Sequence, residues 1–295
     1  MTTTEITVNP GDTVIVHGAA AQPQPPQPPT TRELYAGYFL TDMAQPSQTV
    51  DHCNLQMTNG GGDWNTAAGR KAIIDSTLQQ VAEARRVGFK HVILDSAFCG
   101  FSTSGARKFY RGHVEAQTNL EQFYLALEQA NMLDLVTALY AIDEPERNSM
   151  VPTEDVTNWT QDLNNAWRNM FPGRAIPKVA IAWGDGQDYR GVDSPWLDWG
   201  GIDAYHLGAG VLSSLYPGLI SQMRSDQRLI VLPGGADPPD SNRQDPAPFV
   251  AYTQNNPKVI WFCPFLWVPY GGHAGIRDNG LAPAYRSAGK TLLGL

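Results

Sequence analysis

The stretch Leu135-Val-Thr-Ala-Leu-Tyr-Ala-Ile142, running straight into Asp143-Glu144-Pro145-Glu146, decides the fold. The apolar, β-rich run reads as a strand, and three acids with a proline end it abruptly. Runs of the same kind recur on both sides, at residues 34–40, 54–58, 91–97, 178–183, 199–205, 228–232 and 259–267. Helical patterns lie between several of them, at 66–87, 119–131, 154–171, 211–225, 247–255 and 282–293. Leu78, Val81, Ala82 and Arg85 keep the three-to-four spacing of a helix that buries one stripe. Strands alternating with helices predict parallel βα units. Eight such units at this length favour a closed barrel over an open sheet. The predicted fold class is therefore α/β, a single (β/α)8 TIM-type barrel over residues 32–295. Two joints are weak: residues 41–53 hold at most a short helix, and residues 184–198 read as a loop.

Composition narrows the function. With 17% charged and 42% hydrophobic residues in 295, the chain is neither disordered nor a coiled coil. Acids outnumber bases 29 to 21, a formal charge of −8, and no run of Lys or Arg occurs, which argues against a nucleic-acid partner. No apolar stretch is long enough to span a membrane, so no membrane insertion is expected. The start, Met1-Thr-Thr-Thr-Glu-Ile6, lacks the basic and apolar parts of a signal peptide. Cys53, Cys99 and Cys263 are odd in number and far apart, and suggest buried thiols rather than a disulfide framework or a metal site. No cofactor or metal is expected.

Residues 1–18 differ from the rest. Glu5 to Val16 alternates polar and apolar residues on both sides of Asn9-Pro10-Gly11-Asp12, the pattern of a β-hairpin. Residues 19–31 include Gln22-Pro-Gln-Pro-Pro-Gln-Pro-Pro29, a Pro-rich linker expected to be extended and semi-rigid. A hairpin on a stiff tether before a large domain reads as an attachment segment, docking on another protein or self-associating. That architecture suggests a virion-associated protein, with a cytoplasmic enzyme as the alternative.

In such a barrel the reactive groups sit at the C-terminal ends of the strands. The candidates there are Asp42, Asp95, Asp143, Glu144, Asp185, Asp203, Tyr205, His206 and Trp267, with Trp64, Trp183, Trp261 and Tyr270 as aromatic neighbours. Carboxylates and flat rings suit a sugar, since carboxylates move protons and stabilise an oxocarbenium-like transition state. Crowding two carboxylates raises one pKa, so that one can act as an acid near neutrality. On this reading Glu144 and Asp143 are catalytic, and Asp95, Trp183, Asp203, Tyr205, His206 and Trp267 bind substrate. Asp203 and Tyr205 share one face of their strand.

The eight-strand rhythm and Asp143-Glu144-Pro145 resemble the (β/α)8-barrel glycoside hydrolases, many of which carry Asn-Glu-Pro after strand four. In many of those a nucleophilic carboxylate follows strand seven. Here that strand runs Leu229-Ile-Val-Leu-Pro-Gly-Gly-Ala236, with no acid before Asp237. The adjacent Asp-Glu dyad instead resembles the β-N-acetylhexosaminidase-type families. That likeness implies Glu144 as acid/base, Asp143 as the residue orienting a 2-acetamido group that attacks in place of an enzyme nucleophile, and Tyr205 as its hydrogen-bond donor.

Two functions remain open: a glycoside hydrolase acting on a polysaccharide or surface glycan, or a non-catalytic carbohydrate-binding or structural protein on the same barrel. The signatures of zinc proteases, serine hydrolases, phosphate loops and dinucleotide sites are absent. A Schiff-base lyase would need a rim lysine, and Lys90 and Lys178 lie at the opposite ends of their strands.

Overall fold

The computed structural model describes residues 3–9, 12–17, 33–39, 46–147, 150–235, 244–269, 272 and 274–295, the first two segments by backbone only. Two units emerge, residues 1–33 and 34–295. In the first, β1 (Thr3–Asn9) and β2 (Asp12–His17) pair antiparallel, with Ile6 opposite Val14 and the ladder closing at Asn9 and Asp12. The Pro-rich tract at 19–31 lies outside the described residues.

The second unit begins with β3 (Tyr35–Ala36), α1 (Pro46–Thr49), β4 (Leu55–Met57), α2 (Ala67–Val87) and β5 (His91–Asp95). Next come α3 (Ala97–Gly100), β6 (Phe101–Ser104), β7 (Arg107–Tyr110), α4 (His113–Gln129), β8 (Val136–Asp143) and α5 (Thr153–Met170). The chain continues through β9 (Lys178–Trp183), β10 (Trp199–Ile202), α6 (Val211–Ser214), α7 (Tyr216–Gln222) and β11 (Arg228–Val231). It closes with α8 (Ala247–Asn255), β12 (Val259–Phe262) and α9 (Ala282–Leu293). Eight strands form one parallel sheet in the order β3-β12-β11-β10-β9-β8-β5-β4. The sheet curls into a nearly closed barrel, as the sequence predicts. Its last seam, between β3 and β4, is closed by Asn54, whose backbone amide donates to the Ala36 carbonyl at 3.1 Å. Asn54 accepts from the Ala36 amide (2.9 Å) and donates to the Leu34 carbonyl (3.0 Å). Gly37 lies so close to the Leu55 carbonyl that a β-carbon there would sit 2.1 Å from its oxygen.

Alternation along the strands separates two apolar layers. Ile93, Ala138, Tyr140, Ala180, Ala182, Trp199, Ile230 and Trp261 fill the barrel. Leu94, Leu139, Ile142, Ile181, Trp183, Leu229 and Val231 pack with the surrounding helices.

Three elements differ from expectation. The first and last barrel strands are shorter than 34–40 and 259–267, because the chain leaves the ladder at the rim. The helix predicted at 211–225 is broken into α6 and α7, where Pro217 opens a new first turn. Residues 101–110, where the sequence reading places no strand, form a hairpin, β6–β7, in which Ser104 pairs with Arg107 across a turn at Gly105.

Candidate active site

The strand that carries Asp143 and Glu144 is not regular. Strict alternation from Tyr140, which points into the barrel, would turn Asp143 outward. A bulge prevents this: Tyr140 pairs with Ala180 and Ile142 with Ile181, so Ala141 is the extra residue and Ala141 and Ile142 both face the helices. Asp143 is thereby returned to the inner face, where its Oδ1 accepts from the Tyr140 hydroxyl at 2.7 Å. Glu144 then adopts a left-handed backbone, φ 41°, uncommon for a non-glycine residue. Its amide still joins the ladder, donating to the Ala182 carbonyl at 2.9 Å. The bulge and the left-handed turn together let two consecutive carboxylates serve one mouth.

Glu144 is only 7% exposed. Burial, and then the charge of Asp143, push its carboxyl up to about 7, against the opposing pull of Arg147. Arg147 lies 3.7 Å from Glu144 Oε1 and 3.3 Å from Asp185 Oδ1, and His206 Nε2 lies 3.2 Å from the other oxygen of Asp185. Gly184 sits against two acids: a β-carbon there would be 2.9 Å from Glu146 Oε1 and 3.1 Å from Glu144 Oε1. Its amide donates to Glu146 at 2.5 Å, while Glu146 Oε2 is buried without a hydrogen-bond partner among the described residues.

Asp203 comes from just beyond β10, its amide bonded to the Trp183 carbonyl at 2.6 Å. Its Oδ2 accepts from the Tyr205 hydroxyl at 2.9 Å. Burial first, then the charges of Asp143 and Glu144, raise its carboxyl well above the ordinary range. Burial raises Asp143 too, opposed by the Tyr140 hydroxyl and Lys108. Asp143 thus raises the cost of charging Glu144 and Asp203, and Glu144 raises that of Asp203. Asp95, on β5, is pushed up to about 6 by burial, opposed by bonds from the Ala97 and Gly60 amides.

The predicted residues therefore divide. Asp143, Glu144 and Asp203 converge electrostatically, Tyr205 holds Asp203, Asp95 lies across the mouth beside Asp143, and His206 stands at the half-exposed edge on Asp185. Trp183 and Trp267 do not reach the mouth. Trp183 is fully buried, on the outward phase of β9, with its indole donating to the Arg190 carbonyl at 3.1 Å. Trp267 is fully buried on the outer side as well, packed on Tyr38 and His52 under Arg286, with its indole donating to Gln48 at 2.9 Å. Both are packing residues: Trp183 falls on the outward phase of β9, and Trp267 packs among the outer-layer side chains. Trp261 fills the barrel below and donates to the Gly37 carbonyl. The rings at the mouth are Trp64, Phe39, Tyr140 and Tyr205, the last stacked on Phe265 at 4.6 Å. Asp42, Asp237 and Tyr270 lie outside the described residues. Tyr140, Lys108, Arg147, Phe265 and Gln244 were not anticipated from the sequence. Gln244 links two rims, donating to the Tyr205 carbonyl and accepting from the Gly234 amide. None of these carried a sequence signal: by strict alternation Tyr140 and Asp143 would face opposite ways, and only the bulge at Ala141 brings them together. Among the described residues no group of His, Cys, Asp and Glu is arranged to hold a metal ion.

No protein-family model and no curated sequence matches the chain. Solved structures do match in fold. A glucosidase from Croceicoccus marinus superposes with a TM-score of 0.62 at 13% identity, covering 88% of this chain and 66% of that one. A glycoside hydrolase family 17 β-1,3-glucanosyltransferase from Rhizomucor miehei gives 0.53 at 13% identity, covering 83% and 92%. Saccharomyces cerevisiae Gas2p in complex with laminaritriose and laminaritetraose gives 0.52 at 10%, covering 89% and 66%. At such identities the likeness is one of fold, the TIM barrel of these sugar-processing enzymes.

Proposed function

We propose that this chain is a glycoside hydrolase acting on a polysaccharide or surface glycan, with Glu144 as general acid/base. One observation carries the reading: Glu144, held in a left-handed turn at the rim, is buried beside Asp143 and Asp203 and keeps its proton to about pH 7. A carboxylic acid that is half protonated near neutrality can give its proton to the leaving glycosidic oxygen and recover one from water. The sugar-processing neighbours on the same barrel add support at the level of fold.

The finer reading is substrate assistance. Leu232, Pro233, Gly234 and Gly235, beyond β11, offer no carboxylate, which disfavours a covalent enzyme intermediate formed there. On this reading Asp143, whose Oδ1 accepts from the Tyr140 hydroxyl, orients a 2-acetamido group for attack at the anomeric carbon. Glu144→Gln should abolish release of reducing ends while leaving oligosaccharide binding within about threefold, a change of less than about 1 kcal/mol. Wild-type protein that releases none from laminari-, cello- or chito-oligosaccharides, or a Glu144→Gln variant as active as wild type, overturns the enzyme. Cleavage of laminari- but not chito-oligosaccharides keeps the hydrolase and removes substrate assistance.

The lack of an acid from Leu229 to Ala236 favours the second reading, a barrel that binds glycan without cleaving it. Binding with no turnover in the wild type is its signature. For either reading, the hairpin and Pro-rich linker fit a protein attached to a larger assembly such as a virion.

A further inference from the structure

Beside the carboxylate cluster lies a cavity of about 190 Å³, bounded by the loop after β4 and by the β6–β7 hairpin, with Trp64, Asp95, Lys108, Asn59 and Asp143 among its walls. Its two sides are built as one rigid piece. Asn65 grips the hairpin from both directions, donating to the Thr103 carbonyl at 2.9 Å and accepting from the Thr103 amide at 2.8 Å. Gln80 grips Asn59 the same way, accepting from its amide at 2.9 Å and donating to its carbonyl at 3.2 Å. The Trp64 indole donates to the Gly60 carbonyl at 2.9 Å, and the Trp64 carbonyl accepts from Arg70 and Arg111. These bonds fix a half-buried ring at an opening, where ordinary packing would bury it. Lys108 stands with its ammonium 5.7 Å from the ring centre. Asp95 is pinned by the Gly60 amide at 3.1 Å, and a β-carbon at Gly60 would touch its carboxylate at 2.8 Å.

We infer that this cavity is a preformed subsite for one neutral hexopyranose unit of the glycan. The sugar's C–H face stacks on Trp64, and its hydroxyls bridge the Asp95 carboxylate and the Lys108 ammonium. This rests on the glycan reading above and adds to it the residues and the charge class. The volume suits one sugar ring. The lining sets two acids, Asp95 and Asp143, against one cation, a balance that repels a uronate and is satisfied by a neutral ring. The two amide clamps preorganise the walls and so lower the cost of ordering them on binding.

The test uses the full-length Glu144→Gln chain, so that ligand is not consumed. It is titrated calorimetrically with laminaritriose, cellotriose, triacetylchitotriose and, as the anionic comparator, trigalacturonate. At least one neutral trisaccharide should bind and trigalacturonate should not. Adding Trp64→Ala should weaken the neutral ligand roughly tenfold or more, and Trp64→Phe should recover much of the loss. Should Trp64→Ala lower the melting temperature, Lys108→Met, on the hairpin, carries the same comparison. Unchanged affinity in these variants, equal binding of trigalacturonate, or no neutral binding overturns the subsite. The two readings fail separately. Trp64-dependent binding without hydrolysis by the wild type removes the enzyme and keeps the subsite. Hydrolysis whose KM is indifferent to Trp64→Ala does the reverse.

Discussion

At the scale of single residues, the site stores repulsion. Glu144 has an ordinary value of 4.5 and a folded value of about 7. A carboxyl whose folded pKa is raised binds its proton better folded than unfolded. Its contribution to stability is thus full below pH 4.5 and lost as pH rises toward 7. At about 1.4 kcal/mol per pH unit, the loss by pH 8 reaches at most about 3.5 kcal/mol. Glu144→Gln, which cannot ionise, should therefore raise the melting temperature at pH 8 and leave it nearly unchanged at pH 4. Equal effects at both pH values would contradict the burial argument. If the proposed hydrolysis holds, the same residue should set its pH dependence, with activity falling as pH rises through about 7. Arg147 and Asp185 should move that limb in opposite directions. Arg147→Gln removes the cation facing Glu144 and shifts the limb to higher pH. Asp185→Asn removes a nearby negative charge and frees Arg147 for Glu144, shifting the limb to lower pH. Limbs that moved together would show that Arg147 is not shared between the two acids. The sequence made the acids legible because they end an apolar strand. It concealed Tyr140 and Arg147, whose roles depend on a bulge and a turn, and it misplaced Trp183 and Trp267, whose direction depends on strand phase. An indole near the end of a strand reads the same whether it faces the mouth or the helices.

At the scale of elements, the alternation of strand and helix was readable because each buried strand is a short apolar run bounded by turn residues. Strand edges and the insertion were less so. The β6–β7 hairpin, Phe101–Tyr110, is half polar and follows α3 directly, so no intervening turn sets its first strand apart in the sequence. The seam between β3 and β4 was also hidden, since a two-residue strand has no period to detect. Asn54 substitutes for ladder bonds that β3 is too short to make, joining its amide and carbonyl to the backbone of the first strand. Asn54→Ala leaves the Ala36 amide without that acceptor. It should cost about 1–3 kcal/mol in the free energy of unfolding, read from the denaturant midpoint. A midpoint that does not move would mean that the barrel closes without this side chain. Because the seam lies on the strands that flank the mouth, the same variant should also weaken sugar binding.

At the scale of the whole molecule, the two units ask different things of their surroundings. Residues 34–295 hold all eight barrel strands, every carboxylate of the candidate site and both apolar layers, so their stability is internal to that unit. Residues 1–33 hold one antiparallel pair, in which Ile6 lies opposite Val14 and Thr4 opposite Val16. Two strands bury too little apolar surface to persist alone in water, so on the proposed attachment reading this ribbon would gain stability from whatever receives it. A chain beginning at Leu34 should accordingly melt within about 2 °C of the full chain, a shift of under roughly 1 kcal/mol, and hydrolyse or bind soluble oligosaccharide equally well. What it should lose is association. In analytical ultracentrifugation the full chain, alone or mixed with its assembly, should sediment faster than the truncated one. A truncated barrel that unfolds or loses turnover would show that the hairpin belongs to the catalytic unit. Equal sedimentation of the two chains in both settings would remove the attachment role, because a ribbon of two strands that neither supports the barrel nor recruits a partner has no physical reason to stay paired.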